Sequence, residues 1–300
     1  MTRRISKEMV ILITGASSGI GRYTAQKFHK EGHTVYGTSR NPEKKDSNSE
    51  KKDGSPEKKD NSSENSGNGP KGNFNMIQLD VCDPESCSKA VSYVMEKEGR
   101  IDVLVNNAGI GIAGAVELTS DDEAKSQFET NFFGAVRMCR EVLPIMRNQG
   151  RGKIINVTSV AAAVPIPFQA MYSACKAALE SVSQCLRMET KHYGINVTAI
   201  EFGDIKTGFT GSRKITEASQ RDEVYKKTFE KSLKTMEHDE QNGPRPFKAA
   251  DLVYKTALGK NSRPVIVCGF KYKAVAVLRR KLPYRFTEFS IGKIYANYIK

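Results

Sequence analysis

The chain has 300 residues, of which 38% are hydrophobic and 27% are charged, which is ordinary for a soluble globular protein large enough to bury a full core. Its six cysteines and four histidines show no CxxC, HExxH or zinc-ligand spacing, and no apolar run reaches the ~18 residues of a membrane span. We therefore expect a cytoplasmic protein with reduced thiols and no metal site, folded as one large domain or two small ones.

The formal net charge of +13 is unevenly distributed along the chain. Residues 271–300, the tail, contain eight Lys or Arg and one acid, Glu288, so they carry +7 of the total. A basic surface suits nucleic acid, anionic lipid or a phosphorylated ligand. The basic residues are not interleaved with aromatic residues on a recognised binding module, so we expect no nucleic-acid partner. For the rest of the chain we expect a solvated surface.

Short apolar segments alternate with amphipathic segments of helical length. They predict strands at residues 9–14, 33–39, 74–81, 101–107, 152–159, 195–202 and 264–268. These strands are apolar at nearly every position, as strands covered on both faces must be. The alternation predicts an α/β fold: a single Rossmann-like catalytic domain over residues 1–270, with a doubly wound parallel sheet of about seven strands. Ligands then bind beyond the carboxyl ends of the strands.

The crossover between the second and third predicted strands is abnormal. Residues 43–63 repeat a seven-residue unit beginning with EKKD three times, and no unit contains an apolar residue. A coiled coil is excluded, because it needs apolar residues at two positions of each heptad. Such a polar segment cannot bury enough apolar area to offset its ordering entropy. We predict a disordered surface insertion at residues 43–72, in place of a helix.

The first strand is followed by the glycine loop, residues 14–22, with the sequence TGASSGIGR. Gly15, Gly19 and Gly21 would let the backbone approach a pyrophosphate, with the N-terminus of a helix directed at it. A tight turn without a ligand is the alternative interpretation. The position directly after a first strand favours dinucleotide binding.

The ends of the next strands indicate the cofactor. The second strand ends at Ser39 and Arg40, where an acid would bind a ribose 2′-hydroxyl. A hydroxyl and an arginine, with Arg22 nearby, suit a 2′-phosphate instead, so NADP(H) is favoured over NAD(H). After the third strand, Asp80 is positioned to reach the adenine amine. The small residues of NNAG, residues 106–109, would let the cofactor approach the backbone.

Tyr172 and Lys176 lie four positions apart in the segment MYSACKAALES. On a helix, this spacing places both side chains on one face, one turn apart. A nearby cation favours a phenolate, so we expect Lys176 to lower the pKa of Tyr172 towards the range useful for proton transfer. Ser159, at the end of the fifth predicted strand, would hydrogen-bond the substrate oxygen and orient it. An ordinary surface pair on a helix is the alternative.

The last two segments concern the substrate. Residues 208–247, the lid, are predicted to form a mobile helix bounded by Gly and Pro. The tail combines apolar residues at roughly helical spacing with basic clusters such as Arg279, Arg280 and Lys281. Two interpretations remain open. The tail either caps the substrate pocket or a neighbouring subunit, or it lies peripherally on an anionic membrane and draws lipophilic substrate from it.

Together, TGASSGIG, NNAG, Ser159, YSACK and the Asn131 of ETNFFGAV resemble the short-chain dehydrogenases/reductases over about residues 8–210, apart from the insertion. The chain departs from the family pattern at Phe202, where a proline usually precedes Gly203. More loosely, it is similar to the hydroxysteroid and retinol dehydrogenase members, which act on lipophilic alcohols and ketones.

The resemblance implies an NADP(H)-dependent alcohol or carbonyl oxidoreductase with a lipophilic substrate, assembled as a homodimer or homotetramer. It implies that Lys176 also binds the nicotinamide ribose and that Asn131 holds a water on the proton path. A non-catalytic NADP(H)-binding sensor on the same fold is the alternative function. The implied catalytic residues are Asn131, Ser159, Tyr172 and Lys176. The implied cofactor-binding residues are Gly15, Ser17, Ser18, Gly19, Ile20, Gly21, Ser39, Arg40, Asp80, Val81, Asn107, Tyr172, Lys176, Ile205 and Thr207.

Overall fold

The computed structural model describes residues 8–42, 74–260, 263–281 and 283–296. The insertion predicted at residues 43–72 lies outside this range. The seven predicted strands are confirmed, and all pair in parallel in the order β3-β2-β1-β4-β6-β7-β9. They are β1 (Val10–Ile13), β2 (Thr34–Ser39), β3 (Asn75–Gln78), β4 (Val103–Asn106), β6 (Gly152–Ser159), β7 (Ile195–Phe202) and β9 (Val265–Val267). Two-residue strands β5 (Ile112–Ala113) and β8 (Lys214–Ile215) form a small separate sheet.

Helices follow most strands. They are α1 (Gly19–Lys30), α2 (Pro84–Glu98), α3 (Asp121–Phe128), α4 (Gly134–Asn148), α5 (Ala170–Thr190), α6 (Phe209–Ser212), α7 (Glu217–Arg221), α8 (Lys226–Gln241), α9 (Pro246–Leu258), α10 (Phe270–Lys281) and α11 (Tyr284–Ile291). Their ends carry the expected signals. The Asp83 carboxylate caps the start of α2, where Pro84 is the first helical residue, and the left-handed Gly99 ends it.

The sheet is covered on both faces, which explains its uniformly apolar strands. Leu12 of β1 belongs to a core with α2 and α4, to which Val94 and Met138 contribute. Its neighbours Ile11 and Ile13 belong to the opposite core, where α1 and α9 contribute residues such as Phe28 and Val253. Successive side chains of a strand point to opposite faces, so a sheet between two helical layers needs apolar residues at each position.

The lid and the tail pack against each other. The lid contains three helices, α6, α7 and α8, and the strand β8, where the sequence predicted one helix. The tail forms α10, α11 and a π-helical turn, Gly292–Ala296, which packs on α8. Within the described part of the chain, no helix has both the length and the apolar character needed to cross a bilayer.

Candidate active site

The glycine loop follows β1 directly and leads into α1. Gly15 and Gly19 have positive φ angles of 66° and 51°, which glycine adopts without strain. A Cβ at Gly15 would lie 2.9 Å from the Cα of Ala108. A Cβ at Gly21 would lie 2.4 Å from both the Asn107 side chain and the Gly15 carbonyl oxygen. A side chain at Gly15 or Gly21 would clash with neighbouring protein atoms, so this tight backbone path depends on glycine, which fits a cradle for a pyrophosphate at the start of α1.

Asn107 fastens this loop to the end of β4. Its side-chain amide donates to the carbonyl oxygens of Thr14 (3.0 Å) and Gly15 (2.9 Å). The Thr14 hydroxyl accepts from the backbone N–H groups of Asn107 and Ala108, both at 3.0 Å. Asn107 thus positions the glycine loop with both amide hydrogens engaged. Thr14 is a second member of this clamp, and the sequence analysis gave it no role.

Two predicted cofactor residues sit at the end of β2. Ser39 is half-buried, and its Oγ accepts from the Asn41 N–H at 3.2 Å. Arg40 is exposed, and its carbonyl oxygen accepts from Gln78 at 3.3 Å. The side chain of Arg40 is therefore available at the point where the 2′ position of an adenosine ribose is expected in this fold.

The turn after β3 is shaped by its own acid. Asp80 accepts from the Cys82 N–H at 3.0 Å, and its backbone N–H donates to the Ser86 hydroxyl at 3.0 Å. Val81 is buried against Gly134, and its carbonyl oxygen accepts from Arg137. The acid predicted to reach the adenine amine thus also fixes the backbone of the turn.

The loop after β7 reaches over the glycine loop. The Thr207 side chain comes within 3.5 Å of the position that a Cβ on Gly19 would occupy, and Ile205 is buried in the core with α1 and α9. Ser18 caps α1 without a side-chain hydrogen bond and is exposed, Ser17 is half-buried, and Ile20 packs against the same core. Phe202, where the chain departs from the family pattern, is the buried last residue of β7.

The fifth predicted strand and the following helix assemble the candidate catalytic group. Ser159 is the last residue of β6, and its hydroxyl lies close enough to Tyr172 on α5 to lower the pKa of that phenol. The Lys176 Nζ lies 5.8 Å from the centre of the Tyr172 ring and donates to the Val157 carbonyl oxygen at 2.9 Å. One strand end and one helix face therefore bring three predicted catalytic residues together.

The pKa of Tyr172 differs from the value expected from the sequence. Burial raises the pKa of Tyr172 above its ordinary value, and the hydrogen bond from Ser159 only partly opposes this effect. Burial also lowers the pKa of Lys176. The predicted lowering of the Tyr172 pKa by Lys176 is thus not found, and desolvation of the phenolate is the largest effect on this pKa. A phenol with a raised pKa is protonated at neutral pH.

Asn131 lies in a π-helical turn, Glu129–Phe133, between α3 and α4. Its side-chain oxygen accepts from the Ile110 N–H at 2.8 Å, and its amide donates to the Ile110 carbonyl oxygen at 2.9 Å. Single π-helical turns often occur at functional sites. Asn131 fixes the loop after β4, and the water-holding role implied by the resemblance stays a prediction.

The lid adds residues that the sequence analysis did not single out. Phe209 lies 5.9 Å from Tyr172 between ring centres. Arg213 pairs with Glu240 beside it. Phe168, with a strained φ of 63°, packs on Phe229 of α8 at 5.4 Å. Phe209, Arg213, Glu240 and Phe229 of the lid, and Phe168 before α5, lie outside the recognisable motifs, so only their contacts in the folded chain reveal them.

A glycine cradle beside a protonated tyrosine at the carboxyl edge of a parallel sheet defines a dinucleotide-dependent oxidoreductase. The family model of the short chain dehydrogenases matches residues 9–218, and the chain belongs to this family. It is 42% identical to a 3-ketodihydrosphingosine reductase of Bacteroides thetaiotaomicron over 84% of each chain.

Solved structures agree with this assignment. A short-chain dehydrogenase from Streptomyces avermitilis is 28% identical, with a TM-score of 0.76 over 98% of this chain and 100% of that one. The protein ElxO, solved with NADP bound, is 26% identical, with a TM-score of 0.65 over 89% of this chain and 99% of that one.

Proposed function

We propose that this enzyme uses NADPH to reduce the ketone of a long-chain 3-keto amino alcohol of the 3-ketodihydrosphingosine type. The observation that carries the substrate class is the 42% identity to a 3-ketodihydrosphingosine reductase over 84% of both chains. The aromatic contacts of Phe168 with Tyr225 (6.2 Å) and Phe229 (5.4 Å) near the candidate site supply an apolar wall suited to an alkyl chain.

In this proposal, the bound reduced nicotinamide supplies a hydride to the ketone carbon. Tyr172 gives its proton to the ketone oxygen, so that a secondary alcohol forms and the phenolate is later reprotonated from solvent. Ser159 orients the ketone oxygen and holds the phenol. The raised pKa of Tyr172 keeps it protonated at neutral pH, as a donor to the ketone oxygen must be.

NADP(H) rather than NAD(H) is proposed from the residues at the end of β2. Ser39 and the exposed Arg40 offer a hydroxyl and a cation where a carboxylate would favour NAD(H). The ElxO structure, at 26% identity, has NADP bound. The lysine of the site, Lys176, would hold the nicotinamide ribose.

The direct test follows NADPH consumption with purified enzyme. The substrates are a long-chain 3-keto amino alcohol, the same chain with a simple 3-ketone, a steroid ketone and a short β-keto ester. We expect the 3-keto amino alcohol to give the highest kcat/KM by at least tenfold. Equal or better turnover of a steroid ketone would contradict the proposed substrate class.

We further propose that the tail carries this enzyme to anionic membranes, where such a substrate resides. Tyr272 and Tyr295 anchor the tail to the protein by hydrogen bonds to Asp204 and Asp239. Large apolar side chains nevertheless stay exposed beside basic residues: Phe270 (88%), Phe286 (53%), Phe289 (58%) and Ile294 (48%) near the exposed Lys271, Arg285 and Lys293. This combination suits an anionic lipid surface.

Flotation with vesicles tests this location. The protein should float with vesicles containing anionic lipid, less so at high salt, and the double variant Phe286→Ser/Phe289→Ser should not. Phe247→Ser, which changes a 47% exposed phenylalanine outside the tail, is the matched control and should float normally. Absence of flotation at low salt would leave a cytoplasmic protein whose tail is only a cap. A homodimer or homotetramer, as proposed from the family, would appear in light scattering.

A further inference from the structure

Arg213 of the lid is buried with unused hydrogen-bond donors. Its side chain is 2% exposed. One guanidinium nitrogen, Nη2, pairs with the Glu240 carboxylate. Nε and Nη1 are buried and have no partner in the described part of the chain. Buried guanidinium donors are normally satisfied, so two vacant ones in a single side chain require an explanation.

The unused donors lie beside the candidate catalytic group. The Arg213 guanidinium carbon is 5.9 Å from the centre of the Phe209 ring, and that ring is 5.9 Å from the ring of Tyr172. Gly111, in the loop after β4, faces both lid side chains: a Cβ there would lie 2.8 Å from Phe209 and 3.6 Å from Arg213. The absence of a side chain at Gly111 thus leaves room for this arrangement.

The charges of Arg213 and Glu240 both act on Tyr172. The charge of Glu240 raises the pKa of Tyr172, and the charge of Arg213 lowers it. The two charges therefore oppose each other at the tyrosine. The pair can accept a polar substrate group nearby without imposing a net charge on the proton donor.

A purely structural role does not account for the pair. Glu240 already holds α6 and the following loop to α8, because it accepts from the Thr210 hydroxyl at 2.6 Å and from Arg213. A lysine, or an arginine directed to solvent, could pair with Glu240 in the same way without burying two N–H donors that have no acceptor. Nε and Nη1 point to different sides of the planar guanidinium, and each is suited to an oxygen acceptor that arrives with the substrate.

We propose that Arg213 and Glu240 form the head-group subsite of this enzyme and recognise the amino alcohol adjacent to the reacting ketone. Arg213 donates from one of its two unused groups, Nε or Nη1, to the substrate hydroxyl oxygen. Glu240 accepts from the substrate ammonium with a carboxylate lone pair that Thr210 and Arg213 leave unused. This inference rests on the proposed function and adds the residues that select the head group.

Arg213→Lys is the discriminating variant. Lysine keeps the charge opposite Glu240 and lacks the planar fork, so the ion pair survives and the two donors are lost. We expect kcat/KM for the 3-keto amino alcohol to fall at least tenfold, with less than twofold change for a simple 3-ketone of equal chain length. Arg221→Lys, in an exposed ion pair with Glu217, is the matched control and should change neither value.

Glu240→Gln tests the ammonium contact separately. Glutamine keeps the shape, can still accept from Arg213 and can donate to the Thr210 hydroxyl, so the lid should stay folded, with Tm as the check. Activity on the free amine should fall at least tenfold, whereas the N-acetylated analogue, which carries no charge, should be reduced equally by both proteins. Equal losses of kcat/KM on the free amine, the N-acetylated analogue and the simple 3-ketone would indicate a structural role and overturn the inference.

The same measurements separate this inference from the proposed function. If the unaltered enzyme prefers the 3-keto amino alcohol and Arg213→Lys keeps that preference, the subsite assignment is wrong and the function stands. If the unaltered enzyme does not reduce the 3-keto amino alcohol, the proposed function fails first, and the subsite assignment fails with it.

Discussion

Gly21→Ala tests the packing of the glycine loop. The new Cβ would lie 2.4 Å from the Asn107 Nδ2 and from the Gly15 carbonyl oxygen, far inside contact distance. The substitution must therefore displace the Asn107 amide, which donates two hydrogen bonds to the loop at 3.0 and 2.9 Å. The substitution should therefore lower the stability of the fold and distort the cofactor cradle.

The magnitude follows from these contacts. Forcing a methyl group into a packed site costs about 1–3 kcal/mol. Loss of the two Asn107 hydrogen bonds costs about 0.5–1.5 kcal/mol each. We expect the free energy of unfolding to fall by roughly 2–6 kcal/mol. For a domain of this size the Tm should then fall by roughly 3–10 °C.

Thermal unfolding and NADPH fluorescence titration measure the two consequences. Gly211→Ala is the matched control, because a Cβ at Gly211 meets no atom within 4 Å and its φ is not positive. That variant should keep both the Tm and the NADPH affinity, and Gly21→Ala should lose at least tenfold in affinity. A Gly21→Ala protein within about 2 °C of the original Tm, with unchanged NADPH affinity, would refute this account of the loop.

Three further predictions concern single groups. Tyr172→Phe keeps the ring and removes the proton donor, so kcat should fall by about 10²–10⁴ with NADPH binding retained; a variant with most of its activity would exclude the donor role. Ser39→Asp with Arg40→Ile should lower or invert the preference for NADPH over NADH, and equal kcat/KM for the two cofactors in the unaltered enzyme would already contradict it. His33 is buried, its Nδ1 accepts from the Met9 N–H at 3.3 Å, and burial lowers its pKa. The folded state then binds fewer protons than the unfolded chain, so Tm should fall as pH drops from about 6.5 to 5, and His33→Gln should lessen that slope.

The sequence alone determined the sheet and the motif positions. A strand between two helical layers must be apolar on both faces, so β1, β4, β6 and β7 are readable from a few consecutive residues. The glycine loop and the four-residue spacing of Tyr172 and Lys176 are equally local. Each depends on backbone geometry within one turn or one strand end, and such geometry does not require knowledge of distant parts of the chain.

Only the tertiary structure decided the protonation of Tyr172, the hydrogen-bond partners of Asn107 and the packing of the lid. The sequence placed a cation one turn from Tyr172, but the pKa of a phenol depends on its desolvation, and burial raised it. Asn107 is predicted from the sequence as a cofactor residue, and only the folded chain shows that it also clamps the glycine loop, because its partners lie more than ninety positions away. Arg213 and Glu240 belong to no motif. Arg213 and Glu240 are brought together near Tyr172 by the packing of the lid helices. That packing depends on contacts between elements that are distant in sequence.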